Sequence, residues 1–282
     1  MRRLRALDRL DARGSDPVRP RRQRRAGDTL RGLVVVSVAL AVLVAVFWRV
    51  GLSPGGLSTW TSDAGASGSG GATGAGSGGA GSFRFVAHQP GSPDRPVTYD
   101  RCRTLHVLLN PAGGPDLAGG LDAVVAEAVA AVRRATGLRF VLDGHTTARP
   151  EDRAAGDPLG GVVGGRDPRV LVAFATPAEV PGLRGAVAGL GGSTRVGVPG
   201  GVSHYVGGQV TLDSGAFAEI ADRPDGRDEA RAIVMHELGH VVGLDHVRDP
   251  GELMDAENLG RTTYGPGDLR GLAALGRGPC RS

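Results

Sequence analysis

The sequence predicts an α/β or α+β domain with a mixed β-sheet, formed by residues 83–282 of a 282-residue chain. Three observations support this prediction. Apolar runs of strand length alternate with a longer segment of helical periodicity. One of the runs is continuous and β-branched, as in a strand that is buried on both faces. About 200 residues are also enough to bury a sizeable core.

The helical segment is LDAVVAEAVAAVRRATG, residues 121–137. Gly137 stands where a left-handed C-cap residue belongs. The apolar residues recur every three or four positions and would share one helix face: Leu121, Val124, Val125, Ala128, Val129 and Val132.

Three strands are predicted around this helix. RTLHVLLN precedes it, LRFVLDG (138–144) follows it, and PRVLVAFAT (168–176) is the continuous run, expected at the centre of the sheet. The glycine-rich residues 191–202 are predicted to form a loop. Residues 203–214, SHYVGGQVTLDS, are predicted to form one or two edge strands.

The basic charge of the chain is confined to its N-terminus. Residues 1–31 hold eleven arginines and four aspartates, whereas residues 32–282 hold 22 arginines and 25 acidic residues, and the chain has no lysine. The composition indicates a GC-rich, bacterial coding sequence. Because the excess is local, nucleic-acid binding by the whole protein is not favoured.

Residues 32–52 are predicted to be a transmembrane signal anchor. The first 17 of these residues carry no charge and would be about 25 Å long as a helix. Arg49, which follows them, could extend its side chain to the lipid headgroups. The arginine-rich tail, residues 1–31, would stay in the cytoplasm and the C-terminal domain would lie outside. A cleaved signal peptide that releases the domain is the alternative. Residues 53–82 are rich in glycine, serine and alanine, which predicts a flexible linker.

The only two cysteines, Cys102 and Cys280, stand near the two ends of the predicted domain. This placement is consistent with one disulfide that closes the domain in an oxidising compartment. Two unrelated free thiols are the alternative.

The stretch HELGHVVGLDH, residues 236–246, predicts a metal site. His236 and His240 are one helical turn apart, so both rings can reach one ion. Gly243 would end the helix with a sharp turn and return His246 to the same ion. Three imidazoles with an open fourth position are typical of catalytic zinc.

Glu237 follows the first histidine and is predicted to act as general base toward a zinc-bound water. These roles predict hydrolysis of peptide bonds without a covalent intermediate. Three ordinary histidines on an amphipathic helix are the alternative, and a structural zinc is disfavoured because such sites usually fill the fourth position with cysteine or histidine.

This motif and the residues after it resemble the metzincin zinc metalloproteases, with a matrixin-like catalytic domain. Met254 follows the third histidine by eight residues, as in a Met-turn, and residues 264–276 resemble the C-terminal helix of matrixins. The resemblance implies a mixed, mostly parallel, twisted five-stranded sheet, two long helices, an active-site helix and a C-terminal helix after the Met-turn. It also implies that Met254 lies beneath the zinc.

The chain departs from the matrixin pattern in two places. Val247 stands where serine is common, which leaves subfamily and specificity open. No propeptide with a cysteine switch is recognisable around Cys102, although a Cys102 thiolate on the zinc is an alternative to the Cys102–Cys280 disulfide.

Other residues are candidates for substrate or metal sites. The resemblance implies that substrate pairs with an edge strand, for which HYVGGQVTLD is the candidate. His88, His106, His145 and His204 lack ligand spacing and are expected to be structural or surface groups, with a second zinc as the alternative. Calcium is compatible with aspartates in glycine-rich loops, but no EF-hand-like spacing supports it: Asp157, Asp167, Asp213 and Asp225.

The sequence as a whole predicts a membrane-anchored, extracytoplasmic zinc endopeptidase, bound to one zinc and acting as a monomer on peptides or proteins. Secretion follows instead if the N-terminal segment is cleaved. Two alternative functions stay open: a non-catalytic cell-surface binding module on the same scaffold, and a zinc amidase that acts on a wall-peptide bond.

Overall fold

The computed structural model describes residues 81–150, 167–197, 201–257 and 260–281. The predicted cytoplasmic tail (1–31), the predicted anchor (32–52) and linker residues 53–80 lie outside them. Among the described residues, no helix has the length and apolar character needed to cross a membrane.

The described chain contains short strands at its start, a central sheet and four α-helices. The strands are β1 (Arg84–Phe85), β2 (His88–Gln89), β3 (Ser92–Pro96), β4 (Thr104–Asn110), β5 (Arg139–His145), β6 (Arg169–Ala175), β7 (Gly189–Val196), β8 (His204–Asp213) and β9 (Leu244–Asp245). The helices are α1 (Leu121–Thr136), α2 (Ser214–Ala221), α3 (Gly226–Val242) and α4 (Pro266–Leu275).

The central sheet has five strands in the order β5-β4-β6-β8-β7. β5, β4, β6 and β8 run parallel, and β7 runs antiparallel to β8. The predicted mixed, mostly parallel five-stranded sheet and the α+β class are therefore confirmed. β6 lies at the centre, and Val170 to Ala175 are all buried, as its continuous apolar run predicts.

Helix α1 forms where the apolar periodicity predicts it. All six residues of the predicted face are buried in the main core. Gly137 adopts φ 73°, and its N–H donates to the Arg133 carbonyl at 2.8 Å, which ends the helix as predicted. The second long helix is α3. The short helix α2 was not predicted, because its eight residues follow β8 without a break.

The prediction that HYVGGQVTLD is the edge strand is wrong. This segment is β8, which pairs with β6 on one side and β7 on the other. The edge strand next to β8 is β7, so residues 191–196 are strand and not loop. Glycine lowers strand propensity but is favoured where another backbone approaches a strand closely. Gly191 meets that condition, because a Cβ there would overlap the backbone of α3 at Glu237.

Both ends of the described chain are fastened to the domain. Ser82 and Gly81, the last residues of the predicted linker, bond to Asp249 and Arg270: the Ser82 hydroxyl donates to an Asp249 carboxylate oxygen at 3.0 Å, and Arg270 donates to the Gly81 carbonyl at 2.8 Å. At the other end, Cys280 forms a disulfide with Cys102 across 178 residues of sequence.

We expect the Cys102→Ser/Cys280→Ser double variant to lower the free energy of unfolding by about 2–5 kcal/mol, because the cross-link restricts the unfolded chain over a long loop. Denaturant titration of the variant and of the oxidised wild type measures this difference. Equal midpoints in the two titrations would contradict the prediction.

Candidate metal centre

Helix α3 carries two of the three predicted ligands. Asp228 and Glu229 occupy its first turn, where the helix dipole favours negative charge. His236 and His240 are one turn apart near its C-terminal end, and their ring centroids are 4.8 Å apart. The helix is buried along most of its length, so both rings are held in place by its packing.

The turn after α3 brings the third histidine back. Gly243 has φ 119°, which disfavours any residue with a Cβ, and its N–H donates to the carbonyls of Gly239 and His240 at 3.1 Å. The next residues, Leu244 and Asp245, form β9, which pairs antiparallel with β1 at the start of the described chain. His246 follows directly and its position is fixed by both features.

The structure brings the Nε2 atoms of His236, His240 and His246 together in a triangle. The separations are 3.0 Å between His236 and His246, 3.1 Å between His236 and His240, and 3.2 Å between His240 and His246. Around a tetrahedral zinc with Zn–N distances of about 2.0–2.1 Å, ligand nitrogens are about 3.3 Å apart. The triangle therefore fits one zinc ion.

Hydrogen bonds at the far side of two rings fix their tautomers. The Nδ1–H of His236 donates to the Leu253 carbonyl at 2.7 Å, and that of His240 donates to the Leu244 carbonyl at 2.8 Å. A carbonyl only accepts, so each neutral ring has its free lone pair on Nε2. Those lone pairs point into the triangle, which is the arrangement that metal-ligating histidines adopt.

Burial favours the neutral form of all three histidines. It lowers the pKa of His236 to about 4, lowers that of His240 well below its ordinary value, and lowers that of His246. The backbone acceptors Leu253 and Leu244 oppose these shifts for the first two rings without reversing them. Neutral imidazole is the form that binds a metal ion.

Glu237 lies between α3 and the edge strand β7. A Cβ on Gly189 would be 2.9 Å from its Cγ and 3.0 Å from its Oε1, so the side chain fills the space beside that glycine. Burial alone raises the pKa of Glu237 to about 8, and a divalent cation held by the histidines would oppose that shift.

Met254 is buried and lies against α3 between the two helical histidines. A Cβ on Gly239 would be 2.6 Å from the Met254 sulfur, so the thioether packs directly on the helix backbone. The neighbouring Leu253 carbonyl accepts from His236. The turn closes on itself, because the Val247 N–H donates to the Met254 carbonyl at 3.0 Å.

Two buried carboxylates connect this turn to α4. Asp268 accepts from the N–H groups of Leu253 at 2.6 Å and Gly265 at 2.9 Å. Glu252 accepts from Gly267 at 2.9 Å and Asp268 at 2.8 Å. Asp268 therefore holds the residue whose carbonyl orients His236.

The other predicted candidates lie elsewhere. His106 contacts Asp143 at 2.8 Å and Asp167 at 3.6 Å, and His145 contacts Asp122 at 2.7 Å. His204 is half-buried, and its Nδ1 has no hydrogen-bond partner among the described residues, whereas His88 lies against Phe85. None of these four histidines belongs to a three-ligand group in the described part of the chain.

The aspartates considered for calcium have other positions. Asp213 ends β8 and caps α2 by accepting from the Ala216 N–H at 2.7 Å, and Asp225 precedes α3. Asp157 lies outside the described residues. The only other group of three close donors described, Asp100 with Cys102 and Cys280, contains the disulfide. Cys102 therefore offers no thiolate to the histidine triangle.

Sequence reasoning missed several residues that shape the site. The carbonyls of Leu244 and Leu253 are backbone groups, which every residue type has, so the sequence does not identify them as acceptors for the histidines. Asp255 is nearly buried and acts electrostatically on His236 and His246, but its position depends on the fold of the turn. Gly189 and Gly191 are also not marked by the sequence, since the glycine-rich segment around them resembles a loop.

The fold and this triangle define an α+β domain with a candidate three-histidine metal site. The sequence matches no protein-family model and no curated protein. It is similar in structure to archaemetzincin from Methanopyrus kandleri, with 16% identity over 62% of this chain and 93% of that chain and a TM-score of 0.34. It is also similar to metalloproteinase-II from Bacteroides fragilis, with 15% identity over 61% of this chain and a TM-score of 0.30. This chain spans 50% of the length of that second protein. Both likenesses are distant.

We expect Met254→Ala to lower the free energy of unfolding by about 2–5 kcal/mol, because it leaves a cavity against Gly239. Met254→Leu keeps the volume and should cost less than about 1.5 kcal/mol. Denaturant titration compares the two. Equal stabilities of the two variants would show that Met254 does not fill the space that the structure assigns to it.

A pH prediction follows for Asp268. Burial is the main cause that raises the pKa of Asp268 to about 6, and the nearby Glu252 carboxylate adds to the rise. Hydrogen bonds from N–H groups of the turn oppose the shift. The folded state therefore keeps a proton that the unfolded state releases near pH 4. The free energy of unfolding should fall by roughly 2 kcal/mol as the pH rises from about 4 to 6.

Asp268→Asn removes this titration. We expect the stability of the variant relative to wild type to increase over the same pH range, as measured by denaturant titration at each pH. Asp116→Asn, at an exposed position, is the matched control. A constant difference between Asp268→Asn and wild type across the range would contradict the prediction.

Proposed function

We propose that this protein is a zinc-dependent endopeptidase. The observation that supports this most strongly is the Nε2 triangle of His236, His240 and His246, with Glu237 beside it on the same helix. Zinc held there would supply a Lewis acid that makes water nucleophilic at neutral pH and polarises the scissile carbonyl.

Glu237 is the group that moves protons in this proposal. Its carboxylate accepts a proton from the attacking water and later delivers that proton to the nitrogen of the leaving amine. The carbon–nitrogen bond of the peptide breaks, and the products are a carboxylate and an amine. Because Glu237 is buried against β7, bulk water has little access to the carboxylate, which strengthens its interactions in the site.

The open edge of β7 is the proposed binding surface for the peptide. Among the residues that the structure describes, β7 pairs only with β8, and its eight residues are all partly exposed. Gly189 at its start touches Glu237, so a peptide added as a strand would pass beside the proposed base. Main-chain pairing would then give affinity, and side-chain contacts would give specificity.

The remaining expectations are part of the same proposal. The matrixin-like subtype is supported by the spacing from His246 to Met254 and by helix α4 after that turn. The single-pass anchor at 32–52 and the extracytoplasmic location are supported by the sequence pattern alone, and the monomeric state is proposed with them. The disulfide agrees with an oxidising compartment.

The test uses the full chain in wild-type form and as Glu237→Gln. Glu219→Gln, at an exposed position, is the matched control. We expect about one zinc per chain in the wild type and in both variants. The wild type and Glu219→Gln should cleave a mixed-peptide library, and a chelator should abolish this cleavage. Glu237→Gln should lower kcat/KM by about 10²- to 10⁴-fold because it cannot accept a proton.

Other outcomes point elsewhere. One zinc without cleavage of peptides by the wild type would favour a binding module. Cleavage confined to wall-derived peptides would favour the amidase. Full activity in Glu237→Gln would contradict the assigned role of the carboxylate, and absence of zinc from the wild type would contradict the proposal entirely.

A further inference from the structure

The edge strand β7 lies along helix α3 at unusually short range. Its residues 189, 191 and 193 point toward the helix. The Ser193 hydroxyl donates to the Val241 carbonyl at 2.6 Å. Two residues earlier in the strand, a Cβ on Gly191 would overlap the Glu237 carbonyl oxygen. The strand and the helix therefore touch by their backbones, and only glycine fits at that point.

Gly189 differs from Gly191 in what it touches. The three atoms nearest to a Cβ at Gly189 would all belong to the Glu237 side chain: its Cγ at 2.9 Å, its Oε1 at 3.0 Å and its Cδ at 3.1 Å. The contact with Cγ is shorter than real Cβ atoms show, and the other two are tighter than most, so the Glu237 side chain must shift by a few tenths of an ångström within a buried space. The helix backbone does not need to move for this contact.

We infer that Gly189 is a positioning residue for Glu237. Because position 189 has no side chain, the Glu237 carboxylate can occupy the space between α3 and the edge strand. Any side chain at position 189 displaces the carboxylate while the histidine triangle stays in place. This inference rests on the proposed function for its effect on catalysis, but the contact itself is a property of the fold.

The experiment compares Gly189→Ala with Gly215→Ala in the full chain. Gly215, in α2, is the matched control, since a Cβ there would also lie close to a carboxylate side chain, 3.2 Å from an oxygen of Asp213, which is outside the proposed site. We expect Gly189→Ala to keep one zinc and an unchanged visible spectrum with cobalt in place of zinc. Its kcat on a cleaved peptide should fall about 10- to 100-fold, as for a misplaced catalytic group, with KM within about twofold. Gly215→Ala should keep the wild-type kcat.

A second measurement does not depend on activity. The Tm of Gly189→Ala is measured alone and in a Glu237→Ala background. If the clash is with the Glu237 side chain, removing that side chain relieves it, and the Tm loss caused by Gly189→Ala should shrink by at least half. This cycle also applies if Gly189→Ala is too unstable for kinetics.

Three results would overturn the inference: a wild-type kcat in Gly189→Ala, a loss of kcat that only follows loss of zinc, or a Tm loss that is the same with and without the Glu237 side chain. If the wild type cleaves no peptide, the proposed function fails, whereas the Tm cycle still decides whether Gly189 seats Glu237.

Discussion

Three imidazole nitrogens that face one another across 3.0–3.2 Å are the constraint on which the rest of this structure depends. Neutral rings whose lone pairs converge repel one another unless a cation lies between them. The fold holds them together from behind, with the Leu253 carbonyl on His236 and the Leu244 carbonyl on His240. Each of those carbonyls belongs to a segment that other contacts of the fold hold in place.

The supports of the triangle can be followed outward through the chain. Leu244 lies in β9, which pairs with β1, and Leu253 lies in the turn that Asp268 holds from α4. α4 in turn packs on the start of the domain, where Arg270 lies 5.6 Å from the centre of the Phe83 ring. Elements from both ends of the described chain therefore meet behind the histidines. The disulfide between Cys102 and Cys280 adds a covalent restraint near the same two ends.

The sequence predicts those parts of the molecule whose local pattern and tertiary role agree. The face of α1 and the buried strand β6 follow from periodicity, and the approach of His236, His240 and His246 follows from one helical turn and the glycine turn after it. The edge strand is the instructive error. GLGGSTRV looks like a loop because glycine weakens strands, but its glycines at 189 and 191 are needed for contact with α3. That need arises only after the helix and the sheet have packed, so no local pattern contains it. The carbonyls that orient the histidines are hidden from the sequence for the same reason.

The most direct test of the central claim is zinc X-ray absorption spectroscopy on the purified full chain. The geometry predicts three imidazole nitrogens at about 2.0–2.1 Å and one further oxygen ligand, with no sulfur. A sulfur ligand, a fourth imidazole or the absence of bound zinc would contradict an open three-histidine site and the function proposed from it.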